Sequence, residues 1–196
     1  KKYGQFFTNA TTAKFMASLF CFDLSKKQVE ILDAGAGTGI LAAAVIQKLL
    51  ELGYTGQIHV TCYEKDELVL PLLEKNMILC NKLHNVSYTI KRENYVTSQN
   101  FSDFTLFDNE NYQYDYIIGN PPYMKIAKDA VEALAIPEVC YGAPNLYFLF
   151  WAMGIHNLKK GQELVYIIPR SWTSGAYFSK FRKYLFDNCV ITDIHL

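Results

Sequence analysis

The sequence predicts an α/β fold: a mostly parallel sheet with helices on both faces. Three observations predict it. Short β-branched or aromatic runs alternate with helical stretches in near-regular order. The 196 residues are 51% hydrophobic, enough for one ordinary domain with a sizeable core. The first strand runs directly into a glycine-rich turn and then a helix, the arrangement that puts ligand sites at the carboxyl edge of such sheets.

Taken in order, Val29 to Leu32 reads as the first strand, and Ile40 to Leu52 as a helix that Gly53 stops. Gln57 to Tyr63 is the second strand and Asp66 to Leu83 the second helix, with Pro71 near its start. Val86 to Lys91 is the third strand. Tyr114 to Ile118 is the fourth, ending abruptly at Gly119-Asn120-Pro121-Pro122. Leu146 to Leu158 is helical, Glu163 to Ile168 is a fifth strand, Phe178 to Phe186 is a helix, and Val190 to Leu196 reads as a last strand. Two segments break the alternation. Thr97 to Gln113, rich in Asn, Ser and Asp, reads as a surface connection. Met124 to Pro144 is long for a loop, a length usual for functional lids or mobile segments, with a plain insertion as the alternative. There is no internal repeat and no low-complexity tract.

Composition excludes several classes. The longest apolar runs fall well short of the roughly 20 residues that a bilayer crossing needs, and the polar, aromatic start lacks the pattern of a signal peptide. Lys and Arg number 19 against 19 acids, so nucleic acid is not held here by bulk charge, although a local groove remains open. Five irregularly spaced cysteines contain no C-x-x-C pair and read as small buried hydrophobes rather than a metal or disulfide set. None of the four histidines is assigned chemistry.

The glycine-rich turn is Asp33-Ala34-Gly35-Ala36-Gly37-Thr38-Gly39. Its glycines let the backbone turn sharply and let a ligand approach the peptide groups. Gly37 to Ala42 also satisfies the alanine variant of the dinucleotide fingerprint, so a nicotinamide-dependent oxidoreductase is one reading. Asp33 argues against it, because a carboxylate at the strand end would repel a pyrophosphate. S-adenosylmethionine, which has no phosphate and carries a cationic amino acid moiety, suits the turn better. Glu64 closes the second strand where an acid accepts from both ribose hydroxyls in nucleoside-binding α/β folds. No Gly-Lys-Ser/Thr follows the turn, which excludes a P-loop.

Asn120-Pro121-Pro122-Tyr123 is the most specific feature of the chain. The prolines fix φ and disfavour helix before them, holding Asn120 extended at the sheet edge. Their carbonyls are free to accept from a ligand. Methylation of an exocyclic amine or amide wants this arrangement. An adenine amino group is a poor nucleophile, its lone pair being delocalised into the ring. Asn120 and the Pro121 carbonyl would bind its two hydrogens and aim the lone pair at a methyl donor, an alignment worth about 7 to 11 kcal/mol. Tyr123 would stack on the base, at roughly 1 to 3 kcal/mol, and the nucleotide would first be flipped out of its duplex.

Together these residues resemble the gamma-class N6-adenine DNA methyltransferases of bacterial restriction-modification systems, and the resemblance covers nearly the whole chain. Gly4-Gln5-Phe6-Phe7-Thr8 is similar to the family's amino-terminal cofactor motif, in which Phe7 and Thr8 would flank the methionine part of the cofactor, with Asn9 where proline is usual. Asp33 to Gly39 resembles the glycine loop, Gly35 and Gly37 included, Glu64 the ribose acid, and Asn120 to Tyr123 the catalytic motif. Asn145-Leu146-Tyr147, Leu164 to Arg170 and Ser171-Trp172 look like later structural motifs. The family carries an acid and an aromatic after the third strand, the acid accepting from the cofactor's adenine. Asn94-Tyr95 is read as their counterpart, a neutral amide replacing the acid, while Asp103-Phe104 lies further downstream as the alternative.

The resemblance implies a Rossmann-like S-adenosylmethionine-dependent methyltransferase fold over residues 1–196, a single catalytic domain without the target-recognition domain. It implies double-stranded DNA as partner, a cognate restriction activity, a bacterial cytoplasmic location, and neither metal nor membrane. The alternatives are methylation of a protein glutamine amide or of RNA adenine, for which similar motifs serve. Lys125, Lys128, Lys180, Arg182 and Lys183 are candidates for phosphate contacts, but no base-reading element is visible.

Overall fold

The computed structural model describes residues 7–83, 85–99 and 113–196. Five strands form one parallel sheet: β1 (Gln28–Ala34), β2 (Gln57–Tyr63), β3 (Val86–Lys91), β4 (Tyr114–Gly119) and β5 (Leu158–Tyr166). Their spatial order is β3-β2-β1-β4-β5. The order reverses at β1, which pairs with both β2 and β4, and a crevice opens at the carboxyl ends of sheets at such a point.

Helices cover both faces. Here α1 (Ala10–Ser18), α2 (Ile40–Glu51) and α3 (Leu70–Asn81) pack with Val29, Ile31, Ile58, Val60 and Ile118 on one side. On the other, α4 (Val131–Ala135), α5 (Leu146–Asn157) and α6 (Ser179–Asn188) pack with Leu32, Ala34 and Ile117. Alternate residues of β1 therefore enter opposite cores, as a two-residue strand period requires. Every residue of α5 is buried, which explains its continuous apolar sequence: it is surrounded rather than amphipathic.

The predicted alternation corresponds to the observed elements with shifted ends. The second helix begins at Leu70 rather than Asp66, with Pro71 in its first turn, and the fifth strand begins at Leu158, directly after α5. Two expectations are corrected. Val190 to Leu196 is not a strand; it joins neither edge of the described sheet and most of it is exposed, so its β-branched residues lack the half-buried surface that strand propensity reflects. Cys21 is exposed rather than buried, while Cys62 lies in the core; all five thiols are free. One element goes beyond the sequence reading. Helix α1 is capped by Asn9, whose Oδ1 accepts from Thr12 N at 2.9 Å, and it buries Ala13, Met16 and Ala17 at helical spacing. The residue standing where the resembled family has proline thus starts a helix.

At the opposite edge of the sheet, buried Asp115 accepts from Lys26 Nζ at 2.6 Å, Lys159 Nζ at 3.0 Å and Glu30 N at 2.8 Å. Those partners hold its carboxyl below the usual range against the opposing effect of burial. This cluster ties β1, β4 and β5 together, away from the glycine turn.

Candidate functional site

The carboxyl ends of β1 to β4 open into one pocket. Gly35 and Gly37 follow β1, Glu64 follows β2, Asn94 and Tyr95 follow β3, and Asn120 follows β4, all on the pocket wall. The sequence reading of four separate strand ends therefore converges on one place.

The glycine turn adopts left-handed backbone at Gly35 (φ 71°), Gly37 (φ 56°) and Gly39 (φ 78°), which L side chains rarely accept. Its first amides are already committed. Gly35 N and Ala36 N each donate to Tyr63 O at 2.9 Å, and Gly37 N donates to Glu64 Oε2 at 2.9 Å. A phosphate would find these donors taken and two carboxylates beside it, so the dinucleotide reading loses its anion cradle.

Glu64 is 3% exposed and also accepts from Lys65 N and Asp66 N, each at 2.8 Å. Backbone donors thus fix the orientation of both carboxylate oxygens at the pocket wall. Asp33 is fully buried and is absent from the pocket wall; its Oδ2 accepts from Ala42 N at 3.1 Å, while Oδ1 has no hydrogen-bond partner among the described residues. Burial pushes its carboxyl up to about 7; the Ala42 amide opposes this, and the nearby Glu64 charge adds to it. An orphaned buried oxygen beside a pocket of acids and carbonyls fits a cofactor that brings cationic charge and hydroxyl donors, as S-adenosylmethionine does.

Asn120 is held from two sides. Its Nδ2 donates to Thr8 Oγ1 at 3.1 Å, and its Oδ1 accepts from the Tyr123 hydroxyl at 2.6 Å. That hydroxyl also lies 2.9 Å from Ile167 O, so one proton serves two acceptors. Burial pushes the Tyr123 phenol up to about 12, which keeps it protonated at neutral pH. Pro121 is buried and Pro122 lines the pocket. Phe7 lines it as well, its ring 3.7 Å from where a Cβ on Gly37 would stand.

At the β3 end, Asn94 Oδ1 accepts from Val96 N at 3.1 Å, and Asn94 Nδ2 donates to Glu132 Oε1 at 2.7 Å. Tyr95 is buried, stacked edge-on against Tyr63, and its hydroxyl accepts from Asn157 Nδ2 at 3.0 Å. Asp103-Phe104 and Gly4 to Phe6 lie outside the described residues.

The 124–144 segment forms a lobe that contains α4. Its ends are tied by Ile126 N to Pro144 O and Leu146 N to Met124 O, both 2.8 Å, and Met124 and Glu132 face the pocket. Sequence reasoning missed both residues, and Phe150 too, because no motif marks them. Among the proposed phosphate contacts, Arg182 instead donates to the carbonyls of Trp172, Ser174 and Gly175, Lys183 pairs with Asp187 at 2.7 Å, and Lys125 Nζ sits 5.8 Å from the Tyr177 ring centroid.

Residues 14–196 match the family described as Eco57I restriction-modification methylase. The chain is 37% identical over 199 residues to the type II methyltransferase M.PstI of Providencia stuartii, covering 100% of this chain and 38% of that protein. It is 31% identical to the type II methyltransferase M.BsuBI of Bacillus subtilis, covering 98% of this chain and 39% of the relative. The chain thus spans about two-fifths of the length of these curated relatives. Among solved structures, the methyltransferase subunit of a type I restriction-modification system from Streptococcus thermophilus superposes with a TM-score of 0.70 at 20% identity, covering 95% of this chain and 39% of that one, a likeness of fold.

Proposed function

The chain belongs to the Eco57I restriction-modification methylase family, and from that premise we propose that it transfers a methyl group from S-adenosylmethionine to the N6 amino group of an adenine flipped out of double-stranded DNA. The observation that carries the reading is that Asn120, at the end of β4, lines the same pocket as Gly35, Gly37 and Glu64. An amine acceptor and a nucleoside site thus share one cavity.

When bound, the cofactor supplies an electrophilic sulfonium methyl. Glu64 would accept from the ribose hydroxyls. Phe7 and Thr8 would flank the methionine part, and its positive charge would favour the ionised form of Asp33 that burial disfavours. Asn120 Oδ1 and the Pro121 carbonyl accept the two N–H groups of the target amine and draw nitrogen toward a tetrahedral form. These contacts strengthen as positive charge grows on nitrogen. Methyl transfer would leave positive charge on the target nitrogen, and its extra proton would pass to water. A protonated Tyr123 is no base, and none is required; its ring stacks on the adenine.

The test is transfer of labelled methyl to adenine-containing and adenine-free duplexes by the full-length protein. Label is expected on adenine N6 only, and Asn120→Ala abolishes it. Label on cytosine, on RNA or on a protein glutamine would overturn the assignment.

A further inference from the structure

Resting on the cofactor reading above, we propose that Glu132, on the lobe between β4 and α5, is the acceptor for the exocyclic amine of the cofactor's adenine, a role the β3 end does not fill by itself. The order of the strands sets out the pocket. Asn120 stands over β4, the glycine turn over β1, Glu64 over β2 and Asn94 over β3. A nucleoside whose ribose meets Glu64 and whose reactive end points to Asn120 therefore lays its base beyond β2, at Asn94.

The residue at that place already has its acceptor engaged. Asn94 Oδ1 is occupied by Val96 N at 3.1 Å, an Asx turn that also fixes the amide's orientation. What Asn94 presents instead is its donor, and that donor holds Glu132 Oε1 at 2.7 Å. Glu132 lines the pocket and is partly buried, and its Oε2 makes no hydrogen bond among the described residues. A carboxylate accepts only, so this position favours a 6-amino purine, which donates, over a purine bearing hydrogen or oxygen there. Asn94 is thus a positioning residue, and the acid comes from a different element. Cofactor binding then also pins the lobe, because Glu132 sits in helix α4, within the segment whose ends bracket the Asn120 side of the pocket.

Calorimetric titration of the full-length protein tests this with two probes: S-adenosylhomocysteine, and its analogue carrying hydrogen in place of the 6-amino group. The wild type is expected to prefer the amino compound by about tenfold to a hundredfold, the range of a hydrogen bond to a charged acceptor. Glu132→Ala should lose that preference and leave the affinity for the analogue nearly unchanged. Asn94→Asp in the Glu132→Ala background should restore part of it by returning an acid to the β3 end. An undiminished preference in Glu132→Ala, or equal loss for both probes, overturns the role of Glu132 while the cofactor reading stands. No binding of either probe by the wild type overturns both.

Discussion

Thr8 and Asn120, 112 residues apart in sequence, meet through a 3.1 Å hydrogen bond in which the threonine hydroxyl accepts from the asparagine amide. The contact decides which way the Asn120 amide faces, leaving Oδ1 as its acceptor end. Thr8→Val should therefore lower the rate of methyl transfer by about threefold to tenfold, the value of one neutral hydrogen bond, while Thr8→Ser stays near wild type. Single-turnover kinetics at saturating cofactor check this; equal losses in both variants would point to packing instead.

Tyr123 holds the same acceptor that the target amine needs, at 2.6 Å. That hydroxyl competes with a substrate amine for Asn120 Oδ1. Tyr123→Phe keeps the ring and removes the competitor, so its turnover is expected to equal or exceed wild type. Tyr123→Ala removes the stacking surface and should lose about tenfold to a hundredfold in kcat/KM, corresponding to roughly 1 to 3 kcal/mol. Steady-state kinetics on a duplex substrate separate the two effects.

Asp33 gives the unliganded chain a pH dependence whose sign follows from burial. Its carboxyl is raised to about 7 in the fold, so the folded state holds a proton that the unfolded chain releases near pH 4. Its contribution to stability is therefore complete in acid and is lost as pH rises toward 7, at a slope of at most about 1.4 kcal/mol per pH unit. Denaturant titrations from pH 4 to 8 should show this component in wild type and its absence in Asp33→Asn.

Gly39 tests the turn without touching the pocket wall. At φ 78° an alanine Cβ would stand 2.7 Å from Leu73 Cδ1 and 3.0 Å from Met77 Cε, both in the core. Backbone strain and overpacking add, and Gly39→Ala should destabilise by about 2 to 4 kcal/mol. The midpoint of denaturant unfolding checks it.

Much of this molecule is legible in one dimension. Strand β1, the glycines after it, Glu64 and Asn120-Pro121-Pro122-Tyr123 are local patterns, because period and turn chemistry act over a few residues. Helix α1 carries a local signal too, in the Asn9 cap and the spacing of Ala13, Met16 and Ala17, but it spans only 9 residues and two of its three buried side chains are alanines, so the apolar period is faint. The error at Val190 to Leu196 has the opposite origin, since a β-branched run becomes a strand only when it pairs with a neighbour and buries a face, and most of this one is exposed and unpaired.

The order of residues specifies the alternation of elements, the family resemblance and the side chains available for chemistry. Only the folded arrangement establishes that Asp33 sits fully buried with one oxygen unpaired among the described residues, that Thr8 holds the Asn120 amide, and that Glu132 reaches Asn94 across 38 positions of chain. Local pattern specifies which backbone a segment prefers. Which side chains share a proton depends on how the strand ends and the lobe between β4 and α5 pack, and that is set by the burial of both cores together.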